Sequence, residues 1–152
     1  FVNRMKQFGV KPEMEVYNLA MIEEVEILIK KGLMKPPYNV NLILGMAYQG
    51  ALSTDHNLFS TYLQYLPENC YFNTLGVGKA QTTLGTLGMI MGGNVRVGLE
   101  DNVYYKRGEL ATSNAQLVAR IVKIARELGK EPCTPAEARE FFGLKPVPVV
   151  NK

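Results

Sequence analysis

Apolar positions along this chain recur in two alternating rhythms. Short runs with a period of two, or with none, are separated by longer stretches at helical spacing. Glu13-Met14-Glu15-Val16-Tyr17 alternates, with Met14 and Val16 on one face and Glu13, Glu15 and Tyr17 on the other. Pro12 ahead of it suits the first position of a strand. Leu19 to Lys31 follows with Ile22, Val25, Ile29 and Leu33 at helical spacing, and Gly32 is its natural stop. Asn39 to Gly45 is the next apolar run, with Asn39 and Asn41 on one face. A second helix is predicted after Ser53-Thr54-Asp55, burying Leu58, Tyr62 and Leu66 and ending at Pro67. Cys70 to Gly76 reads as a third strand. Ala80 to Met91 reads as a helix whose alanines and glycines allow close packing on a sheet. A fourth strand is centred near Val97. Ser113 caps a long helix to Leu128, and Thr134-Pro135-Ala136-Glu137 opens a last short one with a capping box. Residues 1–145 therefore read as one domain and residues 146–152 as a loose tail.

Strands centred near Val16, Leu42, Phe72 and Val97, with helices between them, predict an α/β fold of parallel βαβ units. Four such units are half of a (β/α)8 barrel, and a small doubly wound sheet is the competing architecture. Sheets covered on both sides read as continuously apolar. Here three strands carry polar residues on one face: Glu13 and Glu15, Asn39 and Asn41, Arg96 and Glu100. Polar inward faces, and special residues gathered at strand carboxyl ends, favour the barrel.

The richest stretch is Gly92-Gly93-Asn94-Val95-Arg96-Val97-Gly98-Leu99-Glu100-Asp101-Asn102. On a strand, Arg96, Gly98 and Glu100 share one face, and Val95, Val97 and Leu99 take the other. Asp101 then stands at the rim. Arg96 and Glu100 are expected together there, with Glu100 pointing inward. A buried ion pair is weak evidence for a purely stabilising role, and Gly98 leaves room for a ligand between the charges. Glu15, in mid-strand, needs a partner: Arg96 or a cationic substrate group. Gly76-Val77-Gly78-Lys79-Ala80-Gln81 is either a phosphate cradle at a helix start or an ordinary tight turn. It lacks the residues of a Walker loop, and Gln81 replaces the third glycine of a dinucleotide fingerprint. Gln49, in the loop Gly45 to Gly50, faces a substrate or simply solvent. His56, the one histidine, has no second ligand at metal spacing.

Composition narrows the partners. The net charge of +3 over 152 residues is spread in doublets such as Lys30-Lys31 and Lys106-Arg107, which argues against a nucleic-acid surface. Cys70 and Cys133 are far apart and read as two reduced thiols, in keeping with a cytoplasmic protein. No apolar stretch approaches the roughly 18 residues of a membrane span, and the amino terminus has no signal-peptide pattern.

Those residues carry a resemblance. The chain resembles the β-keto acid cleavage enzymes of the 3-keto-5-aminohexanoate type. The likeness runs from Lys11-Pro12-Glu13-Met14-Glu15-Val16, through the Gly76–Gln81 and Gly92–Asn102 stretches and Gly108–Val118, to Thr134–Arg139. It implies a zinc-dependent (β/α)8 TIM barrel that exchanges a β-keto acid with acetyl-CoA, giving acetoacetate and a new acyl-CoA. It further implies Glu100 as a zinc ligand, Asp101 as the catalytic base and Arg96 as its assistant. Glu15 or Glu13 would border the substrate pocket, and Gly76, Gly78 and Lys79 are expected at the CoA phosphates. A homo-oligomer is expected. The family's His-x-His zinc pair has no counterpart here, so the chain looks like the carboxyl-terminal half of such an enzyme, with poor zinc affinity of its own. Glu15, Asn41, Arg96 and Glu100 would then face solvent or a hole. The alternative is a non-catalytic α/β module that binds a phosphorylated ligand, or a protein partner along its open sheet edge.

Overall fold

The computed structural model describes residues 1–51 and 53–145. The expectation for residues 146–152 lies outside that range. Four parallel strands run in sequence order across one sheet: β1 (Glu13–Val16), β2 (Tyr38–Leu44), β3 (Cys70–Gly76) and β4 (Asn94–Val95). Helices α2 (Leu19–Lys30), α3 (His56–Gln64) and α4 (Gln81–Ile90) make the connections. Beyond the sheet come a small antiparallel hairpin, β5 (Tyr104–Lys106) with β6 (Glu109–Leu110), and then α5 (Asn114–Glu127) and α6 (Pro135–Phe141). Helix α1 (Val2–Phe8) precedes β1 and buries no residue. No helix among the described residues is long and apolar enough to cross a membrane.

The two faces of the sheet divide as the alternation requires. Val16, Val40, Leu42 and Leu44 join Ile22 and Val25 of α2 and Phe59 and Tyr62 of α3 in one core. Helix α4 approaches more closely than any larger residue would allow. A Cβ on Gly88 would lie 2.1 Å from Oγ1 of Thr74, and one on Gly85 would lie 2.7 Å from Val95. The opposite face carries a polar row in register across all four strands: Glu15, Asn41, Asn73 and Asn94. Glu13 pairs in register with Asn39 in the layer below.

The fourth strand is shorter than its apolar run. The ladder ends after the Arg96 N–H donates to the Thr74 carbonyl, and residues 99–101 form a turn. The Asn102 N–H closes that turn onto the Gly98 carbonyl, and Oδ1 of Asn114 at the start of α5 accepts from the Leu99 N–H at 2.8 Å. Val97 to Glu100 therefore do not continue the strand that their alternation predicts.

Candidate active site

Arg96 stands where β4 stops, with its side chain on the polar face. Its Nη1 donates to Oε1 of Glu15 at 2.8 Å and its Nη2 to Oε2 of Glu100 at 3.1 Å. Its Nε lies 3.8 Å from Oδ2 of Asp101. One guanidinium thus meets three carboxylates. The Tyr17 O–H donates to the second oxygen of Glu15 at 2.9 Å, so both oxygens of that carboxylate are engaged.

Glu15 and Arg96 come from opposite edges of the sheet. Neighbouring strands lie about 4.8 Å apart, so the ion pair arches over the two central strands. Asn41, expected to face solvent or a hole, is instead completely buried, and neither of its amide atoms finds a protein partner.

Glu100 reaches Arg96 by a different route from the one its spacing suggests. The two residues do not share a strand face; the turn after β4 brings positions four apart together, as a helical turn does. The Glu100 side chain is 82% exposed and does not point inward, whereas Asp101 is 14% exposed. Burial pushes the Asp101 carboxyl above its ordinary range; Arg96 pulls it back, and Glu100 and Glu15 push it further up.

The turn before α4 touches the same site. A Cβ on Gly76 would lie 2.5 Å from the Ala80 carbonyl oxygen, so only glycine lets the strand enter this turn. Gly78 has φ +59 and donates its N–H to the Asp101 carbonyl at 2.7 Å. The Val77 N–H donates to the Leu44 carbonyl and the Ala80 N–H to the Val77 carbonyl, so three backbone donors of the expected phosphate cradle are already engaged. Lys79 is exposed and forms no ion pair among the described residues. Behind the turn, Gln81 is almost completely buried and its Nε2 donates to the Gly98 carbonyl at 2.9 Å. Asn102, also buried, donates to the Tyr104 carbonyl at 2.6 Å. Gln81 and Asn102 brace the turn that carries Asp101, a role their sequence positions did not announce. The available signal was a glutamine standing where a Gly-rich fingerprint would carry its third glycine.

Glu13 lies apart from Glu15. It is exposed and accepts from Nδ2 of Asn73 at 2.8 Å, while the same nitrogen reaches Oδ1 of Asn39 at 3.2 Å. These residues line an open groove of about 940 Å³ between the polar face and helices α5 and α6. Gln49 is exposed in its loop, and His56 is exposed at the first position of α3. Burial pushes the Cys70 thiol up to about 11, which removes it as a nucleophile.

A catalytic zinc ion takes three protein ligands. Among the described residues no group of three His, Cys, Asp or Glu side chains could hold a metal ion. Glu100 by itself offers one carboxylate, so these residues alone do not fit a zinc centre.

Charged groups gathered near the carboxyl ends of parallel strands mark an α/β protein, a class in which ligands usually bind at that end. The chain belongs to the beta-keto acid cleavage enzyme family, which it matches over residues 1–144. It is 42% identical over 137 residues to the 3-keto-5-aminohexanoate cleavage enzyme of Fusobacterium nucleatum subsp. nucleatum, covering 90% of this chain and 49% of that protein. The enzyme of the same description from Acetoanaerobium sticklandii is 37% identical over 144 residues, covering 95% of this chain and 52% of its own length. The 3-dehydrocarnitine:acetyl-CoA trimethylamine transferase of Rhizobium meliloti is 35% identical over 141 residues, with 93% and 46% covered. The chain spans about half the length of the curated relatives it matches.

Proposed function

We propose that this chain is the base-bearing part of a β-keto acid cleavage enzyme that condenses a β-keto acid with acetyl-CoA, giving acetoacetate and a new acyl-CoA. The observation that carries the proposal is the partly buried Asp101 carboxylate, 3.8 Å from Arg96 beyond the strand carboxyl ends. The carbon between the keto and carboxyl groups of a β-keto acid is its acidic position. Asp101 takes the proton from that carbon, a step that needs a base with a pKa raised towards the working pH. Burial raises the Asp101 pKa, and Arg96 acts against that rise in favour of the ionised form. Glu15 fixes Arg96 and, with Glu13, borders the substrate pocket.

Lys79 supplies the charge for the phosphates of acetyl-CoA, which lie against the turn at Gly76 and Gly78, where the Gly78 N–H itself stays bound to the Asp101 carbonyl. Glu100 is the one carboxylate this chain offers to a zinc ion, whose other ligands would have to come from outside these residues. No step here runs through the metal. The parallel sheet is read as half of a (β/α)8 barrel, because its polar face is bridged from edge to edge and its charged groups crowd one end of the strands.

Asp101→Asn tests the assignment. With a β-keto acid and acetyl-CoA as substrates, formation of acetoacetate is expected to fall by about a hundredfold or more, as loss of a general base requires. An unchanged rate would remove Asp101 from the mechanism.

A further inference from the structure

Tyr17 belongs to none of the roles above, yet its hydroxyl closes the hydrogen-bond chain around Arg96. It follows the last residue of β1 and shares the polar face with Glu15. Its backbone is held from behind, where the hydroxyl of the buried Tyr62 of α3 donates to the Tyr17 carbonyl at 3.4 Å. The phenol therefore projects from a fixed point on the scaffold. It donates to Oε2 of Glu15 at 2.9 Å while Arg96 holds Oε1 at 2.8 Å. A carboxylate gripped by two donors at different oxygens cannot rotate freely, so the guanidinium it holds is fixed as well.

We propose that Tyr17 is a positioning residue: through Glu15 it sets the orientation of Arg96 against Glu100 and Asp101. Without the Tyr17 hydroxyl, Glu15 is free to turn and to offer both oxygens to Arg96 in the bidentate fashion that arginine and carboxylate favour. The guanidinium would then swing towards β1 and away from Asp101, to which its Nε is only loosely bound at 3.8 Å. The consequence for catalysis rests on the proposed role of Asp101. The consequence for Arg96 does not.

Tyr17→Phe removes one oxygen and keeps the ring, and a far-UV circular dichroism spectrum matching that of wild type establishes that the fold is retained. Two readouts decide the proposal. In the full chain with 15N-labelled arginine, the Arg96 Nη resonances are expected to be resolved, because each nitrogen has its own carboxylate. They should shift or average in Tyr17→Phe. In the activity assay, kcat is expected to fall about tenfold, with KM for both substrates changed by no more than about twofold, the signature of an interaction acting on the chemical step. Glu15→Gln, which keeps a partner for Tyr17 but removes the charge opposite Arg96, should disturb the same resonances and lower kcat further. Unchanged Arg96 resonances in Tyr17→Phe would overturn the proposal whatever the activity. Altered resonances in a protein that carries a complete zinc site yet shows no keto acid cleavage would leave Tyr17 in its place and sink the functional reading instead. A rise in KM with kcat intact would make Tyr17 a substrate contact and overturn the positioning role.

Discussion

As the proposed base, Asp101 would work only when ionised, and burial among acidic neighbours opposes ionisation. Burial raises its carboxyl, with Glu100 and Glu15 adding to the rise and Arg96 opposing it. Activity should therefore be lost on acidification at a higher pH than an ordinary aspartate would set. The sign for stability is the reverse of the usual acidic-residue case. The folded chain keeps the Asp101 proton at pH values where the unfolded chain has released it, so this group's contribution falls as pH rises through the raised value. A kcat/KM profile in wild type and in Arg96→Met is the measurement. Arg96→Met should move the acidic limb further up, and a limb left in the ordinary aspartate range would contradict the account. The proximity of Arg96, Glu15, Glu100 and Asp101 was legible in the sequence because a polar residue inside an apolar run must find a partner. The reason for the Glu100 contact was not legible. Alternation implied a shared strand face, and the actual cause is a turn closed by the Gly98 carbonyl and by the Asn114 side chain.

At the scale of elements, β3 was readable to the residue as Cys70–Gly76 and β1 and β2 to within one, whereas β4 stops well short of its apolar run. Caps were equally plain: Ser113 accepts from the Gln116 N–H, and Thr134 with Glu137 forms the predicted capping box. What escaped was structure with no core-facing stripe. Helix α1 buries nothing, and the β5–β6 hairpin is held by a Lys106–Glu109 ion pair and a turn at Gly108 rather than by apolar periodicity. The glycines of α4 were foreseen as a route to close packing, and they make a sharp prediction. In Gly88→Ala the added methyl would overlap the Thr74 side chain, whose atoms lie 2.1 and 2.7 Å from the new Cβ. Overpacking of this kind costs about 1–3 kcal/mol. The denaturation midpoint should fall accordingly, and an unchanged midpoint would mean that α4 does not lie on β3 as described.

Across the whole molecule, the sheet ends in two strands whose outer edges carry no protein partner among the described residues. β1 pairs only with β2, and β4 only with β3. Unpaired backbone groups along a parallel edge recruit other chains, and the groove beside β4 adds the apolar side chains of Val118, Ile121 and Val122 from α5. In solution, residues 1–152 by themselves are expected to self-associate as concentration rises and to melt with weak cooperativity. Size-exclusion chromatography over a concentration series, with near-UV circular dichroism, measures both. A monodisperse monomer with a sharp transition would show that the edges are protected in some other way.

The hydrogen bond from the Gly78 N–H to the Asp101 carbonyl joins the turn assigned to acetyl-CoA with the residue assigned to the β-keto acid. If both ligands seat as proposed, one at each end of that bond, they should not bind independently. Whatever factor acetyl-CoA imposes on the affinity for the keto acid, the keto acid must impose on acetyl-CoA. In the proposed reaction the two substrates would then influence each other before any carbon–carbon bond is made or broken, through a bond between two peptide groups.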